Sequence, residues 1–235
     1  MDSFRDLLAQ FEPEGLGAEG PGWQQRKSAQ MRIGILEAAI DCLAKHGFAR
    51  TTTQMIAETA KISRGAMLHH YPTKTALIEA IISYSVYKRI ERLGEGVRKI
   101  SERQRVEEYA GLDILWDIFL SREYRAYLEM NVASRTDAKV RDTFLPLARR
   151  FAEVRRAETA RIFPEWARDP LRLARASDFA EAFMEGLALN AEVWDSPERI
   201  DRMRALLRRM IAMIDAGELN FRPDPPSLRD DVNAA

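Results

Sequence analysis

Apolar residues recur at helical spacing along most of the chain, and no segment alternates in the way that predicts a strand. The first long pattern predicts a helix over residues 24–46 with one buried face. Its apolar positions follow the spacing i, i+3, i+4 and i+7: Leu36, Ala39, Ile40 and Leu43. A second long pattern predicts a helix that begins after Thr73, and Gly94 and Gly96 are expected to end it.

The region after residue 102 continues with the same spacing. Helices are predicted over about 106–120, 122–134, 137–162, 172–194 and 197–216, with a loop over residues 163–170. Ser196 is expected to cap the last helix, and Pro197 to occupy its first position. The chain is therefore predicted to be all-α, with about nine helices.

Residues 51–74, TTTQMIAETAKISRGAMLHHYPTK, predict two short helices joined by a tight turn. The first covers residues 53–60 and the second residues 64–70. Ser63 is expected to cap the second helix by accepting a backbone N–H. Pro72 should end that helix, because the residue before a proline disfavours helical geometry. Two helices joined in this way form a helix-turn-helix, whose second helix can lie in the DNA major groove.

The residue types in this segment point to a particular family more specifically than the spacing of its apolar positions does. The informative residues are His46-Gly47-Phe48, Ile56-Ala57, Ala60, Ser63, Gly65, His69-His70-Tyr71-Pro72, Lys74 and Leu77. Over residues 25–90 the chain resembles the N-terminal signature of TetR-family transcriptional regulators. The resemblance implies a three-helix helix-turn-helix domain followed by a helical domain for ligand binding and dimerisation. Two residues depart from the family pattern: Leu68 replaces a common phosphate-contacting tyrosine, and Lys61 replaces the usual turn glycine.

Four segments are predicted from these patterns: a flexible acidic arm over residues 1–22, the helix-turn-helix domain over 23–73, the ligand-binding and dimerisation domain over 74–217, and a disordered tail over 218–235. The whole chain has 36 basic and 36 acidic residues, but residues 22–75 carry eight basic and three acidic residues. A basic module on a neutral body favours DNA binding, because neutralised phosphates release counterions.

The resemblance assigns DNA contacts to Thr52, Thr53, Gln54, Ser63, Arg64, Gly65, Ala66, Met67, His69, His70 and Lys74. Arg64 is the expected base reader, since a guanidinium can donate two hydrogen bonds to guanine O6 and N7. Gly65 would let the backbone approach the duplex closely. His69 and Lys74 are expected to contact phosphates, whereas Tyr71 is expected in the core.

The last two predicted helices each carry an apolar stripe. By the resemblance, these stripes form a four-helix bundle with a second copy of the chain. The dimer contacts are predicted at Ala180, Met184, Leu187, Ala191, Trp194, Met203, Leu207, Met210 and Ile214. The alternative interpretation is that both stripes close the core of a single chain.

A ligand pocket is a second expectation for the helical body. Its candidate lining residues are Trp116, Phe119, Tyr127, Met130, Asn131, Arg135, Phe144, Phe151 and Phe183. These side chains either surround an apolar cavity, with Asn131 and Arg135 as polar groups, or fill an aromatic-rich core that has no cavity. The resemblance implies a pocket somewhere in this domain.

Catalysis, a metal site and a cofactor are not indicated. The chain has three histidines and one cysteine, and it contains no glycine-rich phosphate loop or nucleophile elbow. Cys42 lies among apolar residues at helical spacing and is expected in the core. No apolar run is long enough to span a membrane, and the N-terminus lacks the features of a signal peptide, so a cytoplasmic protein is predicted.

The predicted function is that of a homodimeric transcriptional repressor that leaves a palindromic operator when it binds a small apolar or amphipathic ligand. The expected partners are double-stranded DNA, a second copy of the chain and a small-molecule effector. A DNA-binding activator and a regulator without a ligand are the alternatives. A further alternative is an all-helical enzyme or a protein-interaction module.

Overall fold

The predicted all-α class is confirmed by the structure, a computed structural model in which residues 8, 9, 11–13, 15, 16, 22–106, 109–162 and 169–219 are described. These residues form ten helices and no strand. The helices are α1 Trp23–His46, α2 Thr53–Thr59, α3 Arg64–His70, α4 Lys74–Lys99, α5 Glu102–Val106, α6 Gly111–Phe119, α7 Arg122–Ser134, α8 Ala138–Ile162, α9 Pro170–Trp194 and α10 Pro197–Asp215.

Helices α1, α2 and α3 pack together, and α1 also packs on α4. Their shared core contains side chains that are at most 1% exposed: Ile35, Leu36, Ile40, Ala57 and Met67. The apolar stripe that the sequence predicts on the first helix is therefore the face that this core buries. Cys42 is buried beside it, as expected for a core cysteine.

Helix α4 is longer than predicted, because neither Gly94 nor Gly96 ends it. Gly94 is buried inside the helix. At Gly96 a Cβ atom would lie 2.6 Å from Cγ2 of Ile114 in α6. Gly96 therefore allows α6 to approach the backbone of α4, and the sequence prediction mistook a packing glycine for a helix stop.

The single helix predicted over residues 106–120 is also wrong, because α5 ends at Val106 and α6 begins at Gly111. Between them Tyr109 has a φ of 51°, in the left-handed region that breaks a helix. The Tyr109 hydroxyl donates a hydrogen bond to the carboxylate of Asp215, 3.1 Å away at the end of α10. The break between α5 and α6 thus coincides with a long-range hydrogen bond, which the local sequence does not predict.

The last two helices begin at strong caps. Asp169 accepts a hydrogen bond from the backbone N–H of Arg172, and Pro170 occupies the first turn of α9. The predicted start of α10 is confirmed, with Ser196 as the cap and Pro197 in the first turn. Of the predicted loop, residues 163–168 lie outside the described residues. The predicted tail lies outside them too, except for residues 218 and 219.

Two apolar side chains in the described part of the N-terminal arm are buried. Phe11 is buried against α4 and α8, and its ring meets that of Phe151 edge-on, with centroids 5.8 Å apart. Leu16 is buried in the same core as α1. These two apolar side chains gain from burial.

Helix α7 lies between the helix-turn-helix domain and the body, where it packs on α1, α4 and α8. At its start, Arg122 forms ion pairs with Glu37 and Asp41 of α1. At the far end, the carboxylate of Glu129 accepts a hydrogen bond from the backbone N–H of Phe48, 3.1 Å away. The position of α1 is thus tied to one helix of the body at two points.

The tight approach at Gly96 gives a stability prediction. Gly96→Ala should lower the free energy of unfolding by about 1–3 kcal/mol, because the new methyl group overlaps Ile114. Urea unfolding followed by circular dichroism measures this change. Gly34→Ala is the matched control, since no atom lies within 4 Å of a Cβ there, and it should stabilise α1 by about 0.5–1 kcal/mol. If both variants are stabilised alike, α6 does not approach α4 as described.

Candidate nucleic-acid interface and ligand cavity

The turn between α2 and α3 has the geometry of a Schellman motif. Lys61 has a φ of 56°, which is the left-handed conformation expected for a residue in the place of the turn glycine. The N–H of Lys61 donates to the carbonyl of Glu58 and the N–H of Ile62 donates to that of Ala57, both at 3.0 Å. These bonds hold a lysine in a conformation that glycine adopts at lower cost.

The recognition helix α3 is fixed from its inner side and open on its outer side. Ser63 caps it, accepting a hydrogen bond from the N–H of Ala66 at 3.1 Å. Met67 and Tyr71 are buried one helical turn apart, and burial raises the pKa of the Tyr71 phenol to about 12. The outer face consists of residues at i, i+1, i+4 and i+5: Arg64, Gly65, Leu68 and His69, all of them exposed.

Met67 does not belong among the predicted DNA contacts, since its side chain is completely buried. Gly65 has space around it within the chain: a Cβ would meet only Oγ of Ser63, at 3.9 Å. No intramolecular packing therefore requires a glycine at this position. Ala66 is half-buried next to it.

The start of α2 presents further candidates on the same side of the turn. Thr52 is exposed and caps α2, with its Oγ1 accepting from the N–H of Met55 at 3.1 Å. Gln54 is exposed and donates to the carboxylate of Glu58. Thr53 is half-buried, which leaves it less accessible than its two neighbours.

Three other candidates lie where α3 ends and α4 begins. The stacked rings of His69 and His70 lie 5.5 Å apart. Burial, then Arg32 and His69, lower the pKa of His70, so its imidazole is neutral near pH 7 and carries no charge for a phosphate. Lys74 is exposed, and its Nζ lies 5.2 Å from the centroid of the Phe48 ring.

The acidic residues of the helix-turn-helix domain all have polar partners. Glu37 and Asp41 are paired with Arg122 of the body, and Glu58 accepts a hydrogen bond from Gln54. These are the three acidic residues within residues 22–75, where eight basic residues are also found. The domain as a whole therefore carries an excess of basic charge, which attracts phosphates.

Five of the nine residues predicted at the dimer interface are instead buried inside the single chain, in the core between α6, α9 and α10: Ala180, Met184, Leu187, Leu207 and Ile214. For the other four, which are partly buried, a contact with a second copy stays a prediction. Ala191, Trp194 and Met203 pack against the same core, and Met210 is half-buried. The coiled-coil spacing did find a real helix–helix seam, but the seam joins α9 to α10 of one chain.

A different stripe of α9 faces outwards. It contains Gly186, Leu189 and Val193, and the two large side chains are 54% and 77% exposed. No atom of the chain lies within 4 Å of a Cβ placed on Gly186. On α10, Leu206 is 46% exposed. These apolar groups have no partner within the described part of the chain.

Most of the predicted ligand residues are buried or half-buried. Five of the nine are buried: Trp116, Phe119, Met130, Phe144 and Phe151. Tyr127, Phe183 and Asn131 are half-buried, whereas Arg135 is exposed after the end of α7. Phe151 lines the smaller of the two cavities described below. For the other residues a role in ligand binding stays a prediction.

The body nevertheless contains a cavity, displaced towards α6, α8 and α9. Its volume is about 150 Å³, and its mostly apolar lining consists of Leu93, Arg105, Tyr109, Gly111, Leu112, Leu115, Arg155, Thr159, Leu173, Ala176, Ser177, Ala180 and Ile211. A second space of about 50 Å³ is lined by Arg89, Ile90, Leu93, Leu115, Ile118, Phe151, Arg155 and Glu181. The two spaces adjoin, because they share Leu93, Leu115 and Arg155.

Arg89 of α4 is the most unusual group beside these spaces. It is 5% exposed, and its Nε and Nη1 atoms have no hydrogen-bond partner within the part of the chain that the structure describes. Its guanidinium lies 4.7 Å, 4.9 Å and 5.0 Å from the ring centroids of Tyr127, Tyr124 and Phe151. Burial lowers the pKa of Arg89, and the tyrosines and Glu181 oppose that change.

The sequence carried one signal for this arginine that the prediction did not use. Arg89 falls within the apolar stripe of α4, three residues after Val86 and four before Leu93. A charged residue on a buried helical face is rarely retained without a partner.

Other kinds of site find no support in the described residues. Over residues 22–106, 109–162 and 169–219 and the few described arm residues, no group of three or more His, Cys, Asp or Glu side chains is placed to hold a metal ion. Within the same residues, no helix combines the length and the apolarity needed to cross a membrane.

Comparisons with known proteins agree with the helix-turn-helix geometry. Residues 35–81 match the sequence profile described as "Bacterial regulatory proteins, tetR family". An uncharacterized HTH-type transcriptional regulator of Mycobacterium tuberculosis is 29% identical over 120 residues, which are 51% of this chain and 61% of the relative. The regulator CymR of Pseudomonas putida is 26% identical over 119 residues, which are 51% of this chain and 58% of CymR. The match therefore spans about three-fifths of these relatives' length.

Solved structures extend the likeness to most of the fold. A protein from Rhodococcus sp., described as a TetR-family transcriptional regulator, superposes with a TM-score of 0.58 at 17% identity, covering 79% of this chain and 99% of its own. A transcriptional regulator from Saccharomonospora viridis, solved in complex with choline, gives a TM-score of 0.56 at 20% identity, covering 78% and 96%. The named relatives are regulators, in agreement with the prediction that the chain is not an enzyme. Residues 35–81 thus carry the N-terminal domain of the tetR family of bacterial regulatory proteins, and the described helices share the fold of solved TetR-family regulators.

Proposed function

We propose that the chain acts as a homodimeric DNA-binding repressor, which a small apolar or amphipathic ligand releases from a palindromic operator. The observation that carries this proposal is the orientation of α3. Met67 and Tyr71 anchor one side of the helix, whereas Arg64, Gly65 and His69 are left exposed on the other. A helix held in this way can enter the major groove with its N-terminal residues against the bases.

The contacts divide into positioning and reading groups. The caps at Thr52 and Ser63 place the N-termini of α2 and α3 at the surface, where backbone N–H groups and the helix dipole attract phosphates. Lys74 adds a charged phosphate contact at the start of α4. Arg64 is the reading group, because it is exposed in the first turn of α3 and carries a fork of donors that matches guanine.

A second copy of the chain is required for a palindromic operator, since each copy presents one recognition helix. The outward stripe of α9 supports a place for that copy. Gly186 leaves room for a close helix approach, and Leu189 and Val193 offer apolar area beside Leu206 of α10. This face replaces the inward one that the sequence pattern suggested.

Release by a ligand is supported by the cavity and by the course of α4. This helix begins at Lys74 beside the recognition helix and passes Arg89 and Leu93 at the cavity. A ligand that binds more tightly to an arrangement in which the two recognition helices no longer match the operator shifts the population towards that arrangement. The choline complex of the Saccharomonospora viridis protein supports small-molecule binding within this fold but does not identify the ligand here.

Specific DNA binding is the first test. In gel-shift titrations with the DNA upstream of its own gene, the protein should bind one segment with a steep salt dependence. Arg64→Ala should cost about 1–3 kcal/mol of binding free energy at that segment and relax the preference at one base pair. Arg141→Ala, an exposed arginine of α8, is the control and should bind as the wild type does. A dimeric, folded protein without specific binding would refute the proposal, and an equal loss on random DNA would make Arg64 a phosphate contact.

Gly65 provides a second prediction in which stability and DNA binding change in opposite directions. Gly65→Ala should raise the free energy of unfolding by up to about 0.5–1 kcal/mol, because alanine favours a helix and the site is open. It should also weaken operator binding by at least about tenfold, or 1.4 kcal/mol, because the methyl group lies between the backbone and the duplex. Unchanged affinity would show that the backbone of α3 does not approach the DNA closely.

The dimer face is tested by Leu189→Arg. The change places a charge at an exposed position, so the fold should be retained, but the dimer should dissociate and operator binding should fall at least about tenfold. Analytical ultracentrifugation and gel shift measure the two effects. Val132→Arg, at an equally exposed valine of α7, should leave both unchanged. A Leu189→Arg protein that remains a dimer would exclude this face.

A further inference from the structure

We propose that the ligand of this cavity is a small apolar monocarboxylate, and that Arg89 binds its carboxylate. The inference rests on the proposed ligand-responsive function and adds the charge and size of the ligand. It depends on three features of the described residues: an arginine with two N–H groups that lack an acceptor, a smaller space whose lining carries one net positive charge, and a mostly apolar space next to it.

The first feature is the unmet hydrogen-bonding capacity of Arg89. A guanidinium stays protonated in proteins and has donors only, so each buried N–H requires an acceptor. Nε and Nη1 of Arg89 have none within the described residues, although the group is almost fully buried. Tyr124, Tyr127 and Phe151 contact the guanidinium with their rings. Cation–π contacts offset part of the cost of burial, but they do not accept the in-plane hydrogen bonds.

The second feature is the charge balance around the smaller space. Its lining includes Arg89, Arg155 and Glu181, and Glu181 is ion-paired with Arg155. One positive charge is therefore left over at Arg89. A carboxylate neutralises this charge, whereas a cation would be repelled. A carboxylate also matches the planar fork of the guanidinium.

The third feature is the apolar space that continues from Arg89. The larger cavity shares Leu93 and Leu115 with the smaller one and is walled further by Leu112, Leu173 and Ile211. A cavity of about its size, 150 Å³, that is lined by aliphatic side chains accommodates a single benzene ring. The ligand would thus place one ring or a short aliphatic chain here and its carboxylate at Arg89.

The test compares acids with their uncharged amides on the full chain. The probes are benzoate, phenylacetate, cyclohexanecarboxylate and hexanoate, each paired with its primary amide, in thermal-shift titrations at millimolar concentrations. At least one acid should raise the Tm of the wild type, with its amide bound about 10- to 100-fold more weakly because the charge-assisted hydrogen bonds are lost. Equal shifts by acid and amide, or no shift with any acid, would overturn the carboxylate ligand.

Two variants of Arg89 assign the effect to this residue. Arg89→Met should abolish the preference for acid over amide while leaving room for the apolar part of the ligand. Arg89→Lys keeps the charge without the fork and should show an intermediate preference, which provides a result if the methionine variant does not fold. Arg98→Met, an exposed arginine farther along α4, is the matched control and should behave as the wild type. A full acid preference in either Arg89 variant would remove Arg89 from the site.

Gel shifts with the same proteins separate this inference from the proposed function. If the wild type binds its operator but no acid stabilises it, the carboxylate inference fails and DNA binding stands. If an acid binds through Arg89 without releasing the DNA, the inference stands and release by this ligand fails.

Discussion

The helix-turn-helix domain is joined to the body chiefly by the packing of α7 on α1. Arg122 pairs with Glu37 and Asp41, and Glu129 binds the backbone just after α1. These groups are partly exposed, so each ion pair contributes no more than about 1 kcal/mol. Burial of an apolar side chain such as Met130 contributes about 1.5–3 kcal/mol. Packing therefore stabilises the junction, and the polar contacts select one orientation of α1 on it, which is the property that a regulator can change.

The same helix is linked to the smaller space through Arg89. Tyr124 and Tyr127 of α7 lie against the guanidinium of Arg89, which lines that space. A buried ion without a partner costs several kcal/mol, and a contact with an aromatic ring returns roughly 0.5–2 kcal/mol. Arg89 is therefore a place where occupancy of the cavity changes the balance of forces on α4 and α7 together. Because α7 carries Arg122 and Glu129, such a change has a short physical route to α1.

The sequence predicted the helix-turn-helix domain well because its signals are local. Ser63 caps a helix, Pro72 ends one, and the left-handed turn at Lys61 follows from its place in the motif. The body was predicted less well because its boundaries depend on neighbours that are distant in sequence. Gly96 allows Ile114 of α6, eighteen residues later in the chain, to pack against the backbone of α4. In the sequence, a glycine that allows close helix packing cannot be distinguished from a glycine that ends a helix.

The predicted dimer face and the predicted pocket both depended on apolar helical stripes. An apolar stripe shows that a helix buries one face, but it does not show whether the cover belongs to the same chain. On α9 the large side chains of the apolar stripe, such as Met184 and Leu187, are buried in the core of their own chain. The exposed stripe of the same helix is shorter and includes a small residue, Gly186. The most informative residues are those that interrupt an apolar face. Gly186 interrupts the exposed apolar face of α9, and Arg89 is a charged residue on the buried apolar face of α4.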